Sequence, residues 1–468
     1  MEKSRMMKTA VLILLAVGIM MIPPPEGLSP TAWKIFAIYI SAILGIVLKP
    51  FSEPVILLVA IASSSLLLGN LNSILRSGYG STTTWLVLCA FSFSAAFIKT
   101  DLGKRVAYVL VGKLASSTLG MGYVLAFLEF IIAPVTPSGT ARSGGIVFPI
   151  ANSAAVALNS EPGSTARRAG SYFMISLWCS AKTSAYLFLT ALAPNALAAK
   201  LCFDISKVEV GWFKWFIAAS VPGILMLLLI PFLVYLVHKP ELAKIDGKSI
   251  SEVGLKELGP MKSSEKILAG IFILALSGWM FGGILKIGAT EVAIVAMCLC
   301  LLSNVLTWDD ILKAKGGWST FIWYGGIIGL AAVLSGAKFF EWLAPRIGAF
   351  IPPALSGYTA LLIIVGLSVV VRYFFASGAA YTASLLPVFL TVGFTCGAPQ
   401  GALVLALLFS NCYGGVVTHY GGAQGPIIFG AGYLDVKPWW TVGGIIAAVT
   451  YCVQMSLGVA WWKFLGYY

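Results

Sequence analysis

Residues 133–145 read A-P-V-T-P-S-G-T-A-R-S-G-G, with apolar runs on both sides. Leu119–Ala133 and Gly144–Leu158 are each about 15 residues long, short of the ~20 that an α-helix needs to cross a bilayer. Between them stand Pro134, Pro137, Gly139, Gly144 and Gly145. Proline offers no N–H to a helix, and glycine is a poor helix former. The pattern predicts a re-entrant helical hairpin near 119–158 whose tip lies inside the membrane. Irregular backbone at that depth is tolerated only where protein buries it or a wet cavity receives it.

The rest of the chain fits a membrane. Of 468 residues 59% are hydrophobic and only 10% charged, against about 25% charged in soluble domains. Apolar runs of spanning length recur throughout, and the ~10-residue alternating segments of a transmembrane barrel do not. The fold class expected is therefore an all-α polytopic membrane protein. The net charge of +13 sits mostly in loops, as the positive-inside rule requires, and does not point to nucleic acid. Lys3, Arg5 and Lys8 predict a cytoplasmic N-terminus. Thr9–Ile22 reads as a retained first helix, because P-P-P-E-G and no small-residue cleavage site follows it. With no evident transit peptide, a bacterial cell membrane is the expected location. Eight cysteines lie scattered through apolar segments without C-x-x-C, which argues against a disulfide framework, a zinc site or any metal centre.

The longest hydrophilic stretch, 238–265, divides the chain into halves. The domains expected are N-terminal scaffold helices 1–52, a first repeat 53–237, that linker, and a second repeat 266–468 with its own hairpin near 358–394. At a shift of 236, Gly80 falls on Gly316, Thr84 on Thr320, Trp85 on Phe321, and Ala95-Ala96 on Ala331-Ala332. At 239, Ser138-Gly139 falls on Ser377-Gly378 of F-F-A-S-G-A-A-Y. Transporters are often built from two such halves of inverted topology, with the site where the repeats meet. Two further helices look broken, one near Ala193-Pro194-Asn195 and one through N-C-Y-G-G-V-V-T-H-Y-G-G-A-Q-G-P (411–426).

Broken helices present unpaired N–H groups and a positive dipole end, which bind anions such as carboxylates. Ser138, Thr140 and Ser377 add hydroxyl donors, and the small residues at 138–141 and 376–380 admit a ligand close to the backbone. Thr418 and His419 sit in the second break; Thr190, Pro194, Asn195, Gly421, Gly422 and Pro426 support the breaks. Arg142, Lys182 and Arg372 lie in apolar context beside them. A basic residue at mid-bilayer is expensive, so each pairs, meets water or holds an anion. Glu129 is a possible partner for Arg142, with a structural role. The look-alike G-S-T-A-R-R-A-G (163–170) follows Glu161-Pro162 and reads as a surface loop.

L-E-F-I-I-A-P-V-T-P-S-G-T-A-R-S-G-G-I-V-F-P-I, F-L-T-A-L-A-P-N (188–195), F-F-A-S-G-A-A-Y (374–381) and T-H-Y-G-G-A-Q-G-P-I-I-F-G (418–430) resemble signatures of the divalent anion:sodium symporter family. They look closest to its dicarboxylate-exchanger branch, which includes citrate/succinate antiporters and plastid 2-oxoglutarate/malate translocators. The resemblance implies about eleven transmembrane helices, two hairpins in inverted repeats, a homodimer, and a transport domain moving as an elevator against a scaffold. It puts the family's paired Ser-Asn-Thr motifs, which bind substrate carboxylates, on Ser138-Gly139-Thr140 and Ser377-Gly378-Ala379. Both asparagines are glycine here and the second threonine is alanine. In symporter members those asparagines help hold sodium, so sodium is not expected to be required.

The function expected is one-for-one exchange of C4–C5 dicarboxylates (the malate, fumarate, succinate and 2-oxoglutarate class) with Arg142, Lys182 and Arg372 as fixed counter-charges. No enzyme activity and no cofactor are expected. The alternatives are a sodium- or proton-coupled dicarboxylate or tricarboxylate symporter, with Glu53, Glu129, Glu291 and His419 as the proton carriers available, and an anion channel. An intramembrane hydrolase using Ser138 or Ser377 with His419 lacks a G-x-S-x-G motif.

Overall fold

The computed structural model describes residues 2–348 and 357–467; the second half, 266–468, thus includes positions 349–356 and 468, which lie outside the described residues. Among the described residues ten helices are long and apolar enough to cross a bilayer, and three of them (Thr118–Val135, Gly357–Phe374 and Gly378–Thr395) are hairpin arms. Shorter apolar helices include Glu53–Leu68 and Ala289–Leu302, and two further helices are broken midway.

Burial sorts these helices. All 18 residues of Gly170–Leu187 are buried, as is nearly all of Gln400–Tyr413. At the other extreme, none of Ser4–Met21 is buried; it touches the protein along Pro30–Leu48, where the Trp33 indole donates to Ile19 O at 2.8 Å. Two buried indoles show how polar groups find partners inside the protein where lipid offers none. The Trp178 indole donates to Val416 O at 2.7 Å, and the Trp215 indole to Tyr186 O at 2.7 Å. Helices Leu71–Gly78 and Lys315–Gly336 cross on glycines: a Cβ added to Gly78 would lie 2.0 Å from the backbone oxygen of Gly325. Gly78→Val should abolish the monodisperse peak in fluorescence-detected size exclusion. Gly18→Ala, where nothing lies within 4 Å, should leave it intact.

The first hairpin descends through Thr118–Ile132, whose 15 residues rise only about 22 Å. It turns at Ala133–Val135, is extended at Thr136, and returns through a π-helical segment, Thr140–Val147, into Phe148–Ala157. The wide π turn leads into Pro149, which cannot donate to the preceding turn. Ser117 bridges to Lys244, while Ala157 and Leu158 line a surface cleft with Asp246 and Ser249. Both outer ends of the hairpin therefore lie at one face. The second hairpin runs through Gly357–Val371, a turn at Arg372–Phe374, and Gly378–Thr395 capped by Ser377.

The span Val436–Phe464 measures one hairpin against the other. Just before its start, the Tyr433 hydroxyl donates to Asn152 Oδ1 at 3.0 Å and Ser160 O at 3.2 Å, at the outer end of the first hairpin. Further along, Tyr451 donates to Leu362 O at 2.7 Å and Tyr358 to Met455 O. Tyr467, beyond its end, packs on Gly401 just after the second hairpin. The hairpins open toward opposite ends of this helix.

The hydrophilic segment is docked. Glu241 N donates to Arg167 O at 3.0 Å, Leu242 N to Arg168 O at 2.9 Å, and Gly247 N to Ala115 O at 3.1 Å, ahead of helix Gly247–Leu258. The look-alike at 163–170 thus lies at the surface against this segment, away from the hairpin tips. One boundary differs from expectation. The first broken helix parts at 188–192, between Gly170–Leu187 and Ala193–Ser206. Ala193, Pro194 and Asn195 open its second half, since a first helical turn tolerates proline, needing no N–H there.

Candidate anion site

Four irregular segments meet. The first tip lies on the first break: Ala193 N donates to Pro137 O at 3.0 Å, and the Thr190 hydroxyl to Pro134 O. Thr190 in turn accepts from the Trp212 indole at 3.0 Å. Asn195 Nδ2 donates to Ala185 O at 2.7 Å and Phe188 O at 3.1 Å, closing the carbonyls freed by the break. The halves also cross over. A Cβ on Gly378 would lie 3.7 Å from Pro194, and one on Gly139 2.5 Å from Gln424 Oε1. Each tip therefore packs on the other half's broken helix, although the residues are more than 180 positions apart in sequence for one pair and more than 280 for the other.

The two serines do the same work. Ser138 Oγ accepts from Ala141 N at 3.2 Å, and Ser377 Oγ from Ala380 N at 3.3 Å. Each caps the helix leaving its tip while its hydroxyl hydrogen stays free to donate. Ser138, Ser377, Gly378 and Gly422 are half-buried, Thr140 is exposed, and Ala379 is buried. The result is two helix starts with hydroxyl donors on an accessible lining, an arrangement suited to an anion.

The cations behind this lining are not equivalent. Arg142 Nε lies 2.7 Å from Glu129 Oε2, and both side chains are fully buried. Its Nη1 donates to Thr136 O at 2.8 Å and Ala191 O at 2.9 Å. The partner offered by the sequence, Glu129, thus pairs with Arg142, which fastens the first tip to the first break. Arg372 has no carboxylate partner among the described residues. It donates to Phe375 O at the second tip and, through Nη2, to Gly421 O at 3.0 Å, with its guanidinium 5.5 Å from the Tyr381 ring centroid. Lys182 Nζ reaches the same Gly421 O at 2.8 Å and sits 4.5 Å from the Trp178 ring centroid. It too lacks a carboxylate partner among the described residues. With Arg142 paired to Glu129, Lys182 and Arg372 are the two basic side chains at the breaks without a carboxylate partner among the described residues.

Thr418 is buried and its carbonyl accepts from Gly421 N at 3.0 Å, making the turn that aims Gly421 O at the cations. Pro426 stands in the first turn of Gly425–Gly430. His419 is held in an aromatic box: it stacks on Phe429 with centroids 4.4 Å apart, and its Nδ1 accepts from the Trp440 indole at 3.3 Å. Tyr373 of the second tip joins the same box, 5.5 Å from Trp440. The geometry gives His419 a packing role behind the break. Gln424, buried between the first tip and the second break, was not singled out from sequence. The signal for it was a lone amide in the glycine-rich G-G-A-Q-G-P.

Solved transporters share this fold. MtrF of Neisseria gonorrhoeae superposes with a TM-score of 0.61 at 13% identity, covering 97% of each chain. The YdaH transporter of Alcanivorax borkumensis gives 0.57 at 13%, covering 86% of this chain and 90% of that one. Among sequences, the inner membrane protein YbhI of Escherichia coli K12 is 51% identical over 99% of both chains. Dicarboxylate transporter 1 of Arabidopsis thaliana chloroplasts is 37% identical over 97% of this chain and 82% of its own. The L-tartrate/succinate antiporter of Escherichia coli O157:H7 is 34% identical over 95% of each. Residues 3–468 match the family described as the sodium:sulfate symporter transmembrane region, and the chain belongs to that family of multi-pass membrane transporters.

Proposed function

We propose that the protein exchanges C4–C5 dicarboxylates one for one without sodium. The dicarboxylate class draws on the names of the chloroplast and tartrate/succinate relatives and on two capped helix starts backed by two unpaired cations. One observation carries the sodium independence. A cation site between hairpins and breaks needs free carbonyl oxygens, and those at Thr136, Ala191, Phe375 and Gly421 already accept from Arg142, Arg372 or Lys182. On this reading the fixed cations take over the charge a mobile one would supply. A bound dianion offsets Lys182 and Arg372; an unloaded site carries both charges bare, and moving them through a low-dielectric barrier is costly. Exchange follows from that asymmetry.

An elevator motion of the hairpins and broken helices within inverted repeats, in a homodimer, completes the proposal. The opposite openings of the two hairpins support the inverted arrangement. The face that holds the linker, with Lys239, Lys244, Lys248 and Lys256, is assigned to the cytoplasm with the N-terminus.

Labelled malate should enter malate-loaded proteoliposomes at the same rate when choline replaces sodium, and should barely enter unloaded ones. Sodium-stimulated uptake into unloaded vesicles would establish the symporter instead.

A further inference from the structure

Gly139 has φ −59° and ψ −32°, a right-handed helical conformation that every L residue adopts. The backbone does not demand glycine there. What a side chain would meet is the end of Gln424: a Cβ at 139 would lie 2.5 Å from Oε1, 2.6 Å from Cδ and 2.7 Å from Nε2, so the amide must move aside for any other residue. The Gln424 carboxamide fills the volume in which a side chain at 139 would begin. Gln424 is 3% exposed, and its Nε2 has no hydrogen-bond partner among the described residues. Buried amide donors are rarely left so. The same amide borders the cation: a Cβ at Gly422 would lie 3.1 Å from Gln424 Oε1 and 2.5 Å from Lys182 Nζ. It stands at the seam between the first tip and the second break.

We infer that Gln424 is a substrate-recognition residue: its Nε2 donates to one carboxylate of the dianion, and position 139 is glycine so that this amide can stand there. The inference rests on the dicarboxylate reading. It explains how the first tip works without a side-chain amide of its own, since the amide arrives from the opposite half of the chain. It also couples two residues 285 positions apart in sequence: an amide at 139 and an amide at 424 compete for one volume.

The experiment compares wild type, Gln424→Ala, Gly139→Asn and the double variant Gly139→Asn/Gln424→Gly, by malate counterflow and by thermal melting in detergent. Gln424→Ala should raise the malate KM roughly ten- to hundredfold, the worth of one hydrogen bond to a charged group, with no fall in melting temperature. Gly139→Asn alone should lower both melting temperature and exchange, because its side chain must displace the amide. The double variant should recover both, having moved the amide from one side of the seam to the other. An unchanged KM in Gln424→Ala would overturn the substrate contact. A Gly139→Asn protein that melts and exchanges like wild type would overturn the shared volume. Wild-type vesicles that show no malate counterflow would sink the dicarboxylate reading, and the substrate contact with it. The melting comparison would still decide the coupling.

Discussion

Glu129→Gln is expected to cost the protein a large part of its stability and to abolish its transport. The Glu129 carboxylate is fully buried against Arg142 Nε at 2.7 Å, with the Ser184 hydroxyl donating to the same oxygen at 3.3 Å. Removing one partner of a buried ion pair leaves a bare charge in low dielectric, worth about 3–5 kcal/mol, against a total stability of about 5–15 kcal/mol for an ordinary domain. The damage is also local to the site. Arg142 holds Thr136 O and Ala191 O, so the first tip loses its register on the first break when the arginine leaves in search of solvation. Arg142→Lys should fail nearly as badly, since an ammonium cannot fork toward three acceptors. The double variant Glu129→Gln/Arg142→Met should melt above Glu129→Gln, because the bare charge is gone, yet below wild type, because two buried carbonyls remain unpaired. Melting of the purified variants in detergent checks the order. A Glu129→Gln protein as stable and active as wild type would refute the fastening role.

What the sequence made legible is what local chemistry determines. Pro134, Pro137 and the surrounding glycines forbid a continuous helix, and the apolar runs beside them are too short to cross, so the first hairpin can be read from 133–145 alone. The second break is legible for the same reason, from Gly414 through Gly425. Proline misled at the first break, because Pro194 is compatible with the first turn of a helix and the true interruption lies just before it, at residues whose types carry no break signal. Arg142 was legible only in part. Its carboxylate is 13 residues away across the hairpin, and only the fold decides that the two point at each other rather than at the site. Arg372, grouped with the other two from its apolar context, lies just past the helix end at Val371 and has no carboxylate partner among the described residues. The crossing of the halves, Gly139 on Gln424 and Gly378 on Pro194, is written in no local pattern, because either tip could have packed on its own half's break alone.

On the proposed exchange mechanism, Lys182→Gln is expected to loosen the exchange rule itself. In wild type the unloaded site bears Lys182 and Arg372 without carboxylate partners among the described residues, two charges against none when a dianion is bound. Neutralising Lys182 leaves one positive charge on the unloaded carrier and one negative on the loaded carrier, so neither state is favoured for crossing. A basic side chain at mid-bilayer is worth about 2.5–3.5 kcal/mol on insertion scales, which converts to a rise of roughly 100-fold in return of the unloaded carrier and a comparable loss in crossing of the loaded one. The ratio of counterflow into loaded vesicles to uptake into unloaded ones should collapse. Arg372→Gln should move the ratio the same way and weaken substrate binding further, because it also frees Phe375 O at the second tip. Net uptake of a dianion carries charge whereas one-for-one exchange of dianions does not. The Lys182→Gln flux should therefore respond to an imposed membrane potential, and wild-type exchange should not. If both variants keep the wild-type ratio and remain indifferent to voltage, the two cations hold the break in shape and do not set the stoichiometry. The exchange rule would then have to come from a closure that senses substrate through the hairpin tips.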